Sequence, residues 1–209
     1  MNKAEAFLPY LEAILLVLIG VMASIRVLVY TWIWVPVIAI LLLRYFEVRR
    51  SVSERHERVA AQLKQIVQTY LSKISGIRAT YYVPVWRKEL QQTCDYIFTG
   101  GGKGRRFSQV KGIIGKCYRE KEIEIVNFSS AEDFRERMMK DFGYTEDEIK
   151  KRTPDRRSYY CYPFFDERKM NVIGLAYFDS SQYNVFTNDP GNIVETINSA
   201  CDIISQGLL

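Results

Sequence analysis

Ser158–Ser180 reads SYYCYPFFDERKMNVIGLAYFDS. Two runs rich in aromatic and β-branched residues flank a polar stretch at about Glu167–Met170. That pattern predicts two strands joined by a turn, an antiparallel hairpin. Upstream, Glu122–Phe128 (EIEIVNF) alternates apolar and polar residues as a half-buried strand does. Ile77–Trp86 (IRATYYVPVW) and Gln92–Thr99 (QTCDYIFT) carry the same strand composition. Pro84 cannot donate to a ladder, so the first of these is expected to end there or to lie at an edge.

Helices are predicted between the strands. Ser130 precedes AEDFRERMMKDF with Asp133 at capping-box spacing, and Gly143 stops that helix. Thr145 opens a short helix, EDEIKKR, ended before Pro154. Asn188 and Asp189 are expected to cap a last helix from Pro190 to about Gln206. The order of helix, strands, helices, strands and helix predicts an α+β fold with a mostly antiparallel sheet.

The chain has 209 residues and a net charge of +5, with cations and anions interleaved. A concentrated basic face is missing, so a nucleic-acid partner is not expected. Cys94, Cys117, Cys161 and Cys201 form no CxxC pair, and His56 is the sole histidine. Neither a zinc site nor any other metal or cofactor site is expected, and the thiols read as reduced, packed groups.

The first part of the chain differs. From Phe7 to Phe46 only Glu12, Arg26 and Arg44 are charged. One helix of that length would run about 60 Å, roughly twice the hydrocarbon thickness of a bilayer. Two spans are expected instead, about Phe7–Ala23 and Leu28–Phe46, turning near Ser24–Val27. Aromatic residues, Trp32 and Trp34 among them, fall where the two interfaces would be. Arg44, Arg49 and Arg50 place that end in the cytoplasm by the positive-inside rule. The expected location is a bacterial inner membrane, with both termini cytoplasmic. A cleaved signal peptide is the rival reading, set against by Glu12 and a weakly basic start. Glu12 reads as snorkelling to the interface and Pro36 as a tolerated kink.

Ser51–Ser75 repeats apolar residues at helical steps. It reads either as an amphipathic helix lying on the following domain or as a short parallel dimer. The dimer seam would hold His56, Leu63 and Tyr70 with Val52, Val59 and Ile66. His56 otherwise reads as solvated.

Thr99–Phe107 (TGGGKGRRF) packs four glycines and three cations together. It fits neither the P-loop nor the GxGxxG pattern. Catalysis by Ser–His or Cys–His is short of a histidine. Lys103, Arg105 and Arg106 remain as candidates to hold an anion.

KGIIGKCYREKEIEIVNF, then DRRSYYCYPFFDERKMNVIGLAYFDS, then VFTND, resemble the core of a GAF domain. Gly112, Gly115, Asn127, Arg157, Ser158, Pro163, Gly174, Phe186 and Thr187 carry the match, over about Ser51–Leu209. The resemblance implies a small-molecule pocket on one sheet face, roofed by helices. Other members bind cyclic nucleotides, tetrapyrroles, haem or metabolites, or only dimerise. Tetrapyrroles and haem call for a histidine, and none follows His56. The motif of the cyclic-nucleotide members is not matched by VFTND. Some GAF-like proteins reduce free methionine sulfoxide with pocket cysteines, which makes Cys117 and Cys161 a weak alternative.

The expected organisation is therefore a transmembrane hairpin (1–46), a connecting helix (47–75) and a cytoplasmic GAF-like domain (76–209). No output enzyme is expected after the last helix. The expected function is a membrane-anchored, homo-oligomeric sensor for a small anionic ligand, nucleotide-like among the options. Its mobile glycine-rich loop would edge the pocket. Candidate ligand residues are Lys103, Arg105, Arg106, Phe107, Asn127, Tyr159 and Phe178. Candidate membrane residues are Glu12, Arg26, Trp32, Trp34 and Pro36. The alternatives are a nucleotide-activated effector of antiviral defence that disrupts membranes, and a docking module with an empty pocket.

Overall fold

The computed structural model describes residues 3–24, 34–71, 76–150, 155–188 and 192–208. Residues 25–27 of the expected hairpin turn, Arg26 among them, Trp32, Asp189 of the expected Asn188–Asp189 cap, and Pro190 lie outside them. The chain divides into two units, Met1–Glu54 and Arg55–Leu209.

The first unit holds α1 (Lys3–Ser24) and the start of α2 (Trp34–Tyr70). Arg44 donates to Glu12 from Nε at 3.2 Å and from Nη2 at 2.8 Å. Glu12 lies twelve residues before the end of α1 (24 − 12) and Arg44 ten after the start of α2 (44 − 34). At 1.5 Å per residue these are similar distances, about 18 and 15 Å, as in two helices running back along each other. Glu12 is therefore paired rather than only snorkelling. Ile14, Val17, Val21, Val35, Ile38 and Leu41 are exposed, as is Trp34. Pro36 is buried in the first turn of α2, where the missing N–H costs no helical bond, so it makes no mid-span kink.

Among the described residues no helix is long and apolar enough to cross a membrane. The apolar start of α2 runs only from Trp34 to Leu43 before Arg44, about 15 Å of helix. Two complete spans are accordingly not seen. Among the described residues the end of the expected second span and most of the expected connecting helix are parts of one helix, α2. No glycine or proline lies between Pro36 and Gly76, and the helix runs unbroken to Tyr70.

In the second unit a six-stranded antiparallel sheet has the order β3-β2-β1-β6-β5-β4. The strands are β1 (Ile77–Val85), β2 (Glu89–Gln92), β3 (Arg106–Ser108), β4 (Glu124–Asn127), β5 (Ser158–Phe165) and β6 (Val172–Ser180). Strands β5 and β6 form the expected hairpin, with Tyr160 opposite Phe178. Strand β1 pairs with β6 through Tyr82 and with β2 from Tyr82 onward. Pro84 therefore has a neighbour on one side only, which is how an otherwise central strand tolerates it.

The expected strand at Gln92–Thr99 is a correction. Only Gln92 belongs to a strand, and Ile97 makes one isolated bridge to Ala79. Phe98 and Gly100, Gly101, Gly102 and Gly104 all have positive φ, so the chain turns there instead of extending.

Side-chain alternation splits the core. One face carries Ala79, Tyr81, Tyr160, Ala176 and Phe178. It is covered by Val59, Leu63, Ile66 and Val67 of α2 and by Ile193, Ile197 and Cys201 of α6 (Ile193–Leu208). Full burial of a leucine such as Leu63 contributes about 1.5–3 kcal/mol. The expected dimer seam is thereby corrected, since Val59, Leu63 and Ile66 are spent on their own domain. His56 is half-buried against Tyr81, ring centroids 5.7 Å apart, rather than solvated. Burial lowers its pKa, with Arg55 adding to the effect.

The other face carries Tyr82, Tyr159, Cys161, Leu175 and Tyr177. Helices α3 (Gly112–Glu120), α4 (Ala131–Lys140) and α5 (Glu146–Lys150) cover it through Ile113, Phe134 and Ile149. Ser130 caps α4 as expected, accepting from the Asp133 N–H at 3.1 Å. Asp133 returns the bond to the Ser129 N–H at 2.7 Å. Thr145 and Glu148 make the equivalent box on α5.

Candidate functional site

The sheet face under α3, α4 and α5 is not filled completely. A cavity of about 240 Å³ remains there. Period-two alternation builds its floor, because Arg78 and Tyr82 of β1, Tyr159 of β5, and Tyr177 and Asp179 of β6 share one face. Register brings the charges together. Asp179 lies opposite Arg78 on one side and Tyr159 on the other. Ile113, Ile114, Phe134 and Met138 form the roof, and Tyr96, Arg105 and Phe107 form a wall.

Asp179 is fully buried and accepts from Arg78 Nε at 2.7 Å. Arg156 Nε lies 3.4 Å from the same oxygen, Asp179 Oδ1, and 3.5 Å from Asp155 Oδ2. Burial raises the Asp179 pKa, against the downward pull of Arg78 and Arg156. Arg156 Nε is buried and donates no hydrogen bond. The Arg78 guanidinium stacks on Tyr96 at 4.1 Å from its centroid, and the Tyr82 and Tyr96 hydroxyls meet at 3.2 Å. Burial raises the pKa of Tyr82, Tyr159 and Tyr177, so the phenols stay neutral. The site can hold an anionic group at one end and a flat apolar body against the tyrosines.

The glycine-rich loop is held by its own backbone. Gly104 donates to Gln92 O at 2.8 Å, Gly100 to Tyr96 O at 2.8 Å, and Lys103 N to Asp95 Oδ1 at 3.0 Å. Of the candidate residues, Arg105, Phe107 and Tyr159 meet at the cavity. The others lie elsewhere. Lys103 is exposed on the loop and Arg106 pairs with Glu89 at 3.1 Å. The Asn127 side-chain Nδ2 donates to Thr187 Oγ1, while the Asn127 backbone carbonyl accepts from Arg137 Nη1 at 2.7 Å. Phe178 packs on Tyr160 and belongs to the opposite face, one residue out of phase with Asp179.

Sequence reasoning missed Arg78, Arg156 and Asp179. The available signal was an arginine near the start of one strand and an aspartate near the end of another. Antiparallel pairing puts such positions side by side.

Cys117 and Cys161 are fully buried, with Cys117 Sγ 3.5 Å from Cys161 O. Neither lines the cavity. Burial pushes the Cys161 pKa up, away from the reactive thiolate. Among the described residues no cluster of metal-ligating side chains occurs.

No protein-family model and no curated protein matches this sequence. Solved structures do match. The GAF domain of an Acinetobacter phosphoenolpyruvate-protein phosphotransferase superposes with a TM-score of 0.52 at 15% identity. That match covers 79% of this chain and 92% of the other.

The second unit has a GAF-like fold.

The type II free methionine-R-sulfoxide reductase of Thermoplasma acidophilum matches the GAF-like chain with a TM-score of 0.51 at 13% identity, covering 74% of this chain and 94% of that one. The fRMsr of Staphylococcus aureus in complex with its substrate gives 0.50 at 16% identity, covering 72% and 84%. At such identities the likeness concerns the fold, not the chemistry.

Proposed function

We propose that the chain is a membrane-anchored sensor whose GAF-like domain binds a small anion in the cavity above Arg78, Tyr159 and Asp179. The observation that carries this reading is the convergence of Arg78, Arg105 and Arg156 on one aromatic-walled space of about 240 Å³. Concave, mostly apolar spaces with a few converging polar groups are where small ligands bind. The volume lies just below the roughly 300–1,000 Å³ of sites for drug-sized ligands, which favours a small metabolite over a full nucleotide. The cysteines lie outside the cavity walls, which supports binding over thiol chemistry.

The anchor is inferred from the exposed Ile14, Val17, Val21, Val35, Ile38 and Leu41, a surface unsuited to water. With Arg49 and Arg50 following, the bilayer is its proposed partner and the cytoplasmic face of an inner membrane its proposed location. The full-length chain, purified in mild detergent, tests both parts. Native mass spectrometry and thermal shift with phosphate, nucleotides, amino acids and carboxylates should reveal a bound anion. Ile114→Trp, which plugs the roof, should abolish its binding. Binding that survives Ile114→Trp removes the cavity from the proposal. Failure of the reconstituted chain to float with lipid vesicles removes the anchor.

A further inference from the structure

We infer that the ligand is a small aromatic monocarboxylate, an inference that rests on the cavity being the binding site proposed above. Charge sets the first limit. Three arginines face two carboxylates, Asp155 and Asp179, which leaves one positive charge. Asp179 is engaged by Arg78 and Arg156, and Asp155 by Arg156. Asp179 is buried and doubly engaged, so the carboxylate on the cavity floor is not open to receive an ammonium group. A dianion such as a phosphate monoester would bring a second negative charge without a counter-charge, at a large desolvation cost. A monoanion balances the site.

One donor group awaits it. Arg105 stands exposed beside the cavity, and among the described residues no carboxylate pairs with its guanidinium. A carboxylate offers two coplanar acceptors and suits arginine donors.

Shape sets the second limit. Tyr82 meets Phe107 edge-on at 5.3 Å and Tyr177 edge-on at 5.9 Å, and Tyr159 lies 6.2 Å from Tyr177. Rings so arranged present edges and faces to a further ring at the spacing aromatic pairs prefer. A flat, rigid body also loses less rotamer freedom on binding than a flexible chain does.

The test is calorimetric titration of the full-length chain in detergent with benzoate, para-hydroxybenzoate and phenylacetate. Cyclohexanecarboxylate keeps the charge and loses the flat ring, benzamide keeps the ring and loses the charge, and inorganic phosphate carries only the anion. At least one aromatic carboxylate should bind about ten-fold or more tighter than all three controls. Arg105→Gln, at an exposed position that folding does not need, should weaken it about five-fold, and Arg105→Lys should retain most of the affinity. If cyclohexanecarboxylate or phosphate binds as tightly, or if only a nucleotide or amino acid binds, the ligand class is wrong while the cavity reading stands. If no anion binds, or Ile114→Trp leaves binding intact, both fall.

Discussion

Gly174→Ala is expected to cost the GAF-like domain about 3 kcal/mol, near the upper end for overpacking. A Cβ at this position would lie 2.0 Å from Tyr81 Oη, 2.5 Å from Cζ and 2.7 Å from Cε2. No carbon can approach so closely, and Tyr81 has little room to yield. Its ring is fully buried, packed edge-on against Phe164 at 5.8 Å and tilted against His56 at 5.7 Å. Either the ring leaves its rotamer or β6 moves off β1. For a unit of this size each kcal/mol lowers the Tm by about 2–4 °C, so a fall of about 6–12 °C is expected. Circular dichroism of the full-length chain in detergent measures it. Tyr81→Phe removes the nearest atom, so adding it to Gly174→Ala should recover part of the loss, a coupling that a double-mutant cycle isolates. A fall under 2 °C, or strictly additive single effects, would refute the packing argument.

Three further outcomes are expected. Gly112 has φ +78° and its Cβ would meet the Tyr144 hydroxyl at 2.5 Å, so Gly112→Ala should cost about 1–2 kcal/mol. Gly112→Asn shares the clash but tolerates that φ better, so denaturant unfolding should rank asparagine above alanine. Glu148 is held down to about 2 by the Thr145 N–H and by Lys111. Its contribution is present above the usual carboxylate value and lost as pH falls through about 2, so the Tm gap between Glu148→Gln and the natural chain should close in strong acid. Asp179 has the opposite sign, because burial raises its pKa. Its contribution is full below the ordinary aspartate value and fades as pH rises through the folded one, and Asp179→Asn should flatten the Tm against pH over that interval.

The sheet was legible where local pattern decides it. SYYCYPFF and VIGLAYFDS alternate, their turn is polar, and both features survive in β5 and β6. Ser130 and Thr145 were legible because a cap needs only residues three positions away. The Cys94–Phe98 stretch was misread because strand-like composition does not supply a partner strand. The cavity was half legible. The loop arginines stand out by charge, but the Arg78–Asp179 pair spans 101 residues and exists only through register. Phe178 shows the same limit, since a one-residue error in phase exchanges one sheet face for the other. The change from apolar to charged residues at Phe46–Glu47 leaves no break in α2, because such a change is no helix breaker.

Tyr96 is a wall common to two spaces. One is the charged cavity, and the other is a groove lined by Ala60, Lys64 and Gln68 of α2 and by Cys94 and Phe98. Cys94 is half-buried, whereas the other three cysteines are buried. The chain thus carries a natural attachment point for a thiol-directed fluorophore, one ring away from the cavity and outside it. A dye placed there would report occupancy through Tyr96 without competing for the space, and no cysteine would need to be introduced or removed.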